Sequence, residues 1–593
     1  MYILRQPCWS VQAVKGYPCI TPQCAFIYKS QVEAGRYCPP SDILIRMRDK
    51  SVRFSLILAG ALVVQLFLQG WFALSSSSAF DEPFFISAGL TLWNTGRDEV
   101  LIDQPPMAKR IYGLAAVLAG AKCAPEKRDY MGALTLYGLN RDHAMAILLY
   151  CRAMAIAVGL LLTLAVALWA RELAGPAVGA MAACFLALEP NTLAHGSLAT
   201  ADVLLSLVLI MFVRSLWKLF WGTGHILEGG IAGIWAGLAI ATKYSAIGYV
   251  PAIFLAGLVV RFLVSRKPIS IRQPLRVAGL AVAAAGATIY LAFSLHVRFW
   301  DPGFGSAGIW SWSPVGLVGE PVNDLMQGVA RILAWVNVDS PVFIFGELRS
   351  GRIPWYFPAV ILLKIQLGLL LAAVASLVFY MLAARTGKKA DRWAGLVPVL
   401  LPFSCIIALL VVAANSRMHV GVRHVHAVFP LIALMAGGLM GQSLPWPRLR
   451  AGIAGLALLW GAVSTARCSP HYLAHFNELA GGPGGGWRKF ADSNLDWGQD
   501  LPALSRWCAD NGIKSIPLEY FGNSDPSWWG VPATPFRDPG SAGFRPGFVA
   551  VSVGAIDGVL SHDLTRFAWC RGLKPVARPG WSIHVYDLRN YSR

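Results

Sequence analysis

Long apolar runs recur along this chain, near residues 54–74, 146–169, 176–190, 201–220, 229–243, 245–264, 277–296, 356–383, 394–414, 425–441 and 449–466. Crossing a bilayer as a helix takes roughly 20 mostly apolar residues, so these eleven windows are candidate spans. Those at 176–190 and 229–243 are short, which leaves the count a margin of one or two. Composition agrees. Of 593 residues, 56% are hydrophobic and only 14% charged, where an average soluble domain carries about 25%. Mean hydropathy is +0.53. These values argue against a soluble enzyme, a disordered chain, a coiled coil or a collagen-like fibre.

The net charge of +19 would suggest a nucleic-acid partner in a soluble protein. In a membrane protein the excess has another origin, because Lys and Arg collect in cytoplasmic loops. Arg46, Arg48, Lys50 and Arg53 precede the first run. Arg266, Lys267, Arg272 and Arg276 precede the seventh. Arg385, Lys388, Lys389 and Arg392 separate the eighth and ninth, and Arg448 and Arg450 the tenth and eleventh. With eleven spans all four clusters share one side, which is then cytoplasmic. Two long loops, 75–145 and 297–355, and everything beyond residue 466 fall on the opposite, outer side. Long loops inside compact proteins are usually functional.

The expected architecture is an α-helical polytopic membrane protein with a small extracytoplasmic α/β domain. Residues 47–466 make the transmembrane domain and 467–593 the tail. Within the tail, residues 499–511 read as a helix ended by Gly512, and 515–520, 547–552 and 581–587 as short strands. Residues 1–46 hold four cysteines and no clear periodicity. Met47 begins Met-Arg-Asp-Lys directly before the first apolar run, so 1–46 read as a non-native or disordered extension. None of the eleven cysteines forms a C-x-x-C pair. Cys468, Cys508 and Cys570 share the outer tail and are candidates for a disulfide. No P-loop and no G-x-G-x-x-G before a helix is present, which argues against ATP-driven transport within this chain.

Five places carry candidate chemistry. Phe80-Asp81-Glu82-Pro83 follows the first run, and paired carboxylates beside aromatic residues suit a general base. The same residues also suit a helix start, with Asp81 as N-cap and Gly96 closing the helix. Asp103-Gln104-Pro105-Pro106 enters a second helix whose first turn holds Lys109 and Arg110, bases that suit a lipid phosphate or simple headgroup snorkelling. Glu189, His195 and Asp202 lie between spans three and four. They are candidates for a functional boundary cluster, including a divalent metal site, although the spacing matches no recognised ligand pattern and Thr200 and Asp202 also suit capping. Lys243, and Arg417, His419, Arg423, His424 and His426, stand on the outer side against the positive-inside rule and are candidates for an anionic leaving group. In the tail, Asp492-Ser493-Asn494-Leu495-Asp496-Trp497-Gly498-Gln499-Asp500 has calcium-loop spacing, but its glycine is one place late and position twelve is Ala503. Asp500 reads better as a helix cap.

Taken in order, the Asp-Glu pair, Pro105-Pro106-x-x-Lys109, Leu188-Glu189-Pro190-Asn191, Ala194-His195-Gly196 and Ala199-Thr200-Ala201-Asp202 resemble the membrane glycosyltransferases of the GT-C class. The nearest are the protein O-mannosyltransferase-like, family 39 and aminoarabinose-transferase-like enzymes. Ala241-Thr242-Lys243-Tyr244-Ser245, Phe345-Gly346-Glu347, Tyr356-Phe357-Pro358, Arg423-His424 and the stretch from His471 to Asp500 continue the likeness, which covers about residues 50–500. Gln104 departs from it, because many relatives have His before the double proline.

The resemblance implies a hexosyl- or pentosyltransferase of the plasma (bacterial inner) membrane, with the N-terminus cytoplasmic. Its donor would be a polyprenyl-phosphate-linked sugar and its acceptor a protein, lipid or glycan hydroxyl, with no nucleic acid involved. It places the catalytic acid at Asp81, with Glu82 assisting. Lys109, Lys243 and Arg423 would meet the departing phosphate. Glu189, His195 and Asp202 would orient the acceptor or hold a metal. The reaction would invert by single displacement. Two other classes fit the composition: a polyprenyl-lipid flippase or transporter, and a non-catalytic glycan-binding membrane protein. A flippase would want its polar residues at mid-bilayer, whereas here they gather at one boundary.

Overall fold

The computed structural model describes residues 40–96, 98, 100–123, 132–222, 225–264, 272–294, 320–386, 394–539, 541, 543–559 and 563–590. The chain divides into two compact units, residues 1–56 and 57–593, and every site residue below belongs to the second. Of the expected extension 1–46, residues 1–39 lie outside the described residues.

Chain order is α1 (Pro40–Ser75), α2 (Glu82–Thr95), α3 (Pro106–Leu118), α4 (Ala144–Ala174), α5 (Pro176–Ala187), α6 (Pro190–His195), α7 (Asp202–Trp221), α8 (Ile226–Thr242), α9 (Ala246–Val264), α10 (Arg272–Ser294) and α11 (Glu320–Val336). A hairpin of β1 (Val342–Ile344) and β2 (Glu347–Arg349) follows, then α12 (Tyr356–Lys364), α13 (Leu367–Thr386), α14 (Val397–Ala414), α15 (Val428–Gly437) and α16 (Pro447–Cys468). The tail adds α17 (Leu501–Asp510), β3 (Ile516–Glu519), β4 (Ala533–Pro535), β5 (Phe548–Ser552) and β6 (Ile583–Asp587).

Among the described residues, eight helices are long and apolar enough to cross a membrane: α1, α4, α7, α9, α10, α13, α14 and α16. Three shorter apolar helices, Pro176–Ala187, Ile226–Thr242 and Val428–Met440, occupy the expected third, fifth and tenth spans. One window needs correcting. The run 356–383 is two helices, because the chain is extended at Ile365 (ψ 143°), and only the second is long enough to span.

The bundle closes through small residues. Gly229, Gly233 and Gly237, four apart on α8, face Val277, Ala281 and Ala285 of α10, where a Cβ would strike the α10 backbone or side chains. Small residues at this spacing let helix backbones approach where lipid removes any hydrophobic drive to associate.

The tail is the expected α/β domain. Its sheet runs β4-β3-β5-β6, with β3 parallel to β4 and β5, and β5 antiparallel to β6. The expected helix and three strands are present with slightly shorter bounds. β4, Ala-Thr-Pro, was not expected. It is a three-residue, fully exposed edge, with neither alternation nor length to announce it. The β1–β2 hairpin turns at Phe345 (φ 49°) and Gly346 (φ 95°), so the Phe-Gly-Glu motif is a tight turn.

The tail is stitched to the loop after α1. Ser77 N–H donates to Gln499 O and Phe80 N–H to Trp497 O, both at 2.8 Å. The Ser77 hydroxyl donates to Gly498 O at 2.8 Å. The Ser78 hydroxyl meets Ser524 and Tyr137. Cys468, Cys508 and Cys570 are free buried thiols, so the expected disulfide is absent.

Candidate active site

Four charged side chains from distant parts of the sequence form an alternating row at one boundary of the bundle. Asp81 Oδ2 accepts from Arg423 Nη1 at 2.6 Å. The same nitrogen stands 3.7 Å from Asp202 Oδ2. Asp202 Oδ1 pairs with Lys243 Nζ at 2.5 Å. Exposure falls inward, from 27% at the Asp81 side chain to 12% at Arg423 and 2% at Asp202. Asp81 is therefore the acid at the open end, and Asp202 is enclosed between two cations.

Each member is positioned by its element. Lys243 directly follows α8, and Asp202 opens α7. Arg423 lies in a short turn behind Gly421, whose φ of 105° an L side chain would resist and whose missing Cβ leaves room for Ser493. The tail completes the setting. The Arg423 guanidinium lies 4.2 Å from the centre of the Trp497 ring, and its Nε donates to Ser493 Oγ at 3.2 Å. Val422 N–H donates to Asn494 Oδ1 at 2.9 Å. The buried Lys364 holds the Asn494 carbonyl at 2.6 Å. Thus the stretch Asp492–Trp497, read from sequence as a weak calcium loop, is a wall of the site. Asp492 lies near enough to interact electrostatically with Arg423 and Asp81, whereas Asp496 accepts from Gly498 and Gly554 N–H, and Asp500, just beyond the stretch, from Ser582 and Gln499 while meeting His471.

The start of α2 is not built as expected. Asp81 occupies the N-cap position but its side chain makes no cap bond. Glu82 instead reaches back along the loop to Ala79 N–H at 2.8 Å. Its other oxygen accepts from Ala199 N–H at 2.9 Å. Arg152 of α4 grips both Glu82 oxygens, at 3.0 and 2.7 Å, and also donates to the Ala73, Ser76 and Ser77 carbonyls. Both partners are fully buried. Glu82 is thus a structural anchor with no free lone pair toward a substrate, which corrects its expected assisting role. Arg152, missed from the sequence, pins the loop and leaves Asp81 unencumbered except by Arg423.

Three other expectations change. Lys109 is fully buried, bound to the Asp98 carboxylate and to the Val100 and Leu101 carbonyls, so it is not free for a phosphate. Its neighbour Arg110 is 8% exposed, attracted by the Asp98 carboxylate, and among the described residues its Nε and Nη2 have no hydrogen-bond partner. Burial lowers its pKa to about 10. Glu189 is the N-cap of α6, accepting from Asn191 and Thr192 N–H and from the Asn191 amide, and burial pushes its carboxyl up. It therefore caps a helix rather than orienting an acceptor. His195 is buried, with neither ring nitrogen partnered among the described residues, and set edge-on to His426 and Trp497. Burial, and His426 beside it, hold the imidazole well below its usual range. It lines the back of the row. Of the expected trio only Asp202 belongs to the charged site. Among the described residues no group of three or more His, Cys, Asp or Glu side chains is placed to hold a metal ion.

Fold and site together define an integral membrane protein with a polytopic helical bundle and a polar, charged centre at one boundary, walled by a soluble tail. Residues 143–292 of the chain match the family described as dolichyl-phosphate-mannose-protein mannosyltransferase. That segment, about a quarter of the chain, contains Arg152, Asp202 and Lys243. The structure is also similar to that of ArnT from Cupriavidus metallidurans bound to undecaprenyl phosphate. The TM-score is 0.45 and the identity 14%, covering 90% of this chain and 97% of that one. The Archaeoglobus fulgidus oligosaccharyltransferase AglB, in complex with an inhibitory peptide and a dolichol-phosphate, gives a TM-score of 0.42 and 12% identity over 87% of this chain and 72% of that one. No curated protein matches.

Proposed function

We propose that this chain transfers a sugar from a polyprenyl-phosphate-linked donor to an acceptor hydroxyl on the outer face of the membrane, with Asp81 as general base. The observation that carries the reading is the Asp81 carboxylate. It makes no capping bond, is partly open and, among the described residues, is held by a single cation at 2.6 Å.

The donor phosphate is an anion and competes with Asp81 for Arg423. As the guanidinium turns to the phosphate, Asp81 is released to take the proton of the acceptor hydroxyl. The hydroxyl oxygen bonds to the anomeric carbon, the carbon–oxygen bond to the phosphate breaks, and the polyprenyl phosphate departs with that electron pair. Arg423 and Lys243 stabilise the charge as it grows. Displacement at one face of the sugar inverts the anomeric centre. Asp202, between the two cations, holds them in place. Arg110 takes the phosphate role expected of Lys109, because a buried guanidinium with unpaired nitrogens gains most from an anion. No step requires a metal. The basic clusters read from the sequence between the apolar runs favour a cytoplasmic position for those loops, which supports an outward-facing site and tail. The acceptor is a protein, lipid or glycan, and the donor sugar is a hexose or pentose.

The test is sugar transfer by purified protein in lipid nanodiscs. Labelled polyprenyl-phosphate sugars are supplied one at a time, with a membrane extract as acceptor and no nucleotide sugar. Transfer from one donor supports the reading. Absence of transfer from every donor, together with movement of labelled lipid between leaflets in vesicles, would replace it with the flippase reading.

A further inference from the structure

The tail helix α17 meets the site end of α1 across a cavity of about 300 Å³ lined by Leu74, Ser75, Pro502, Ser505, Arg506 and Trp529. Its walls differ in character. On the α1 side Leu74 is 67% exposed, and Trp71 and Phe67, one and two turns back on the same face, are exposed as well, with ring centres 6.0 Å apart. On a membrane-crossing helix such a face meets acyl chains, and Trp near its end marks the headgroup level. The tail side sets Ser505 and Arg506 beside Pro502 and Trp529. Arg506 is exposed and, among the described residues, has no carboxylate or carbonyl partner.

We infer that this cavity binds the phosphate of an anionic lipid headgroup. Arg506 pairs with the phosphate, Trp529 and Ser505 border the headgroup, and the acyl chains lie along Leu74, Trp71 and Phe67. A lone cation would attract free phosphate equally well. The apolar stripe that runs straight from the cavity is what selects an amphiphile. The site is separate from the row formed by Asp81, Arg423, Asp202 and Lys243. It adjoins the seam where Ser77 pairs with Gln499 and where Leu501 N–H reaches the Ser77 hydroxyl. A lipid seated here braces the tail against the segment that leads to Asp81.

Nanodiscs containing phosphatidylcholine and phosphatidylglycerol test this, with the protein released into mild detergent and weighed by native mass spectrometry. Wild type is expected to retain a phosphatidylglycerol molecule in preference to phosphatidylcholine. Arg506→Gln should lower that occupancy about fivefold, the effect of one basic group at an anionic surface. Arg506→Lys should keep part of it. Arg589→Gln, which alters an exposed tail arginine paired with Asp587, should leave it unchanged. Millimolar inorganic phosphate should not displace the lipid. Equal retention in wild type and Arg506→Gln, no preference for the anionic lipid, or displacement by inorganic phosphate alone would each overturn the assignment.

Discussion

Arg423 holds Asp81 at 2.6 Å across 342 positions of sequence, and stands with the same nitrogen 3.7 Å from Asp202. One guanidinium thus joins the open acid to the enclosed one. It rests on Trp497, so the tail, the loop after α1 and the helical bundle all meet at this cation. In the proposed reaction this arginine pairs with the base at rest and with the leaving phosphate during transfer, which would couple donor binding to activation of the base.

Glu82 and Arg152 should matter for stability before chemistry. Removing one partner of a fully buried, hydrogen-bonded ion pair costs about 3–5 kcal/mol, because the other charge is left without compensation. Glu82→Gln and Arg152→Met should each lower the midpoint of thermal unfolding in detergent substantially. The double variant should recover part of the loss, since no isolated charge remains. Fluorescence-detected size exclusion after heating reads this directly. A Glu82→Gln protein as stable as wild type would reject the anchor role.

Arg110 and Lys109 should separate cleanly. Arg110→Gln removes a buried cation whose Nε and Nη2 are unpaired, so the fold should keep or gain stability while donor binding weakens. A rise in KM for the donor of about tenfold is expected, the worth of one charge-assisted hydrogen bond to phosphate. Lys109→Met strands the Asp98 carboxylate, so its effect should appear in stability. Donor titrations of both variants beside melting curves make the comparison.

Asp496 supplies a pH signature in the tail. Burial raises its carboxyl to about 7, while the unfolded chain keeps an ordinary carboxylate. Between those values the folded protein binds the proton that the unfolded chain has released, so this group's contribution to stability falls as pH rises toward 7. Buried His475 and His584, held near 3, work in the opposite direction at acid pH. The difference between wild type and Asp496→Asn isolates the effect. Relative to the variant, wild type should lose stability from pH 5 to pH 8. Parallel melting profiles for the two proteins would exclude it.

Much of the bundle could be read from the sequence, because the bilayer demands long apolar runs and places bases on one side. The eleven windows became eight spanning helices and three shorter apolar ones. The one misdrawn span joined α12 to α13, since the break at Ile365 is a backbone turn without glycine or proline. In the site, Asp81, Asp202, Lys243 and Arg423 were legible as charges out of place at a boundary. What the sequence could not assign was which charges neutralise one another. Lys109 looked free and is spent on Asp98, whereas Arg110 looked equivalent and has unpaired nitrogens. Arg152 lay inside an apolar run, and its single charge was passed over although a charge there is a functional or structural signal. The calcium-like spacing was outweighed in sequence by a helix cap at Asp500, and carboxylates four apart in a loop converge only if the backbone turns them inward. Here Asp492, Asp496 and Asp500 face different neighbours.

The most direct measurement compares wild type with Asp81→Asn in the nanodisc transfer assay, using whichever polyprenyl-phosphate sugar the wild type accepts. Asp81 is partly exposed and, among the described residues, has Arg423 as its one side-chain partner, so the variant should fold and melt close to wild type. Loss of a positioned general base costs about 10²- to 10⁴-fold in rate. The account predicts a fall of that size, with donor binding retained or tightened because Arg423 is released to the phosphate. Transfer at the wild-type rate by a folded Asp81→Asn protein would contradict it.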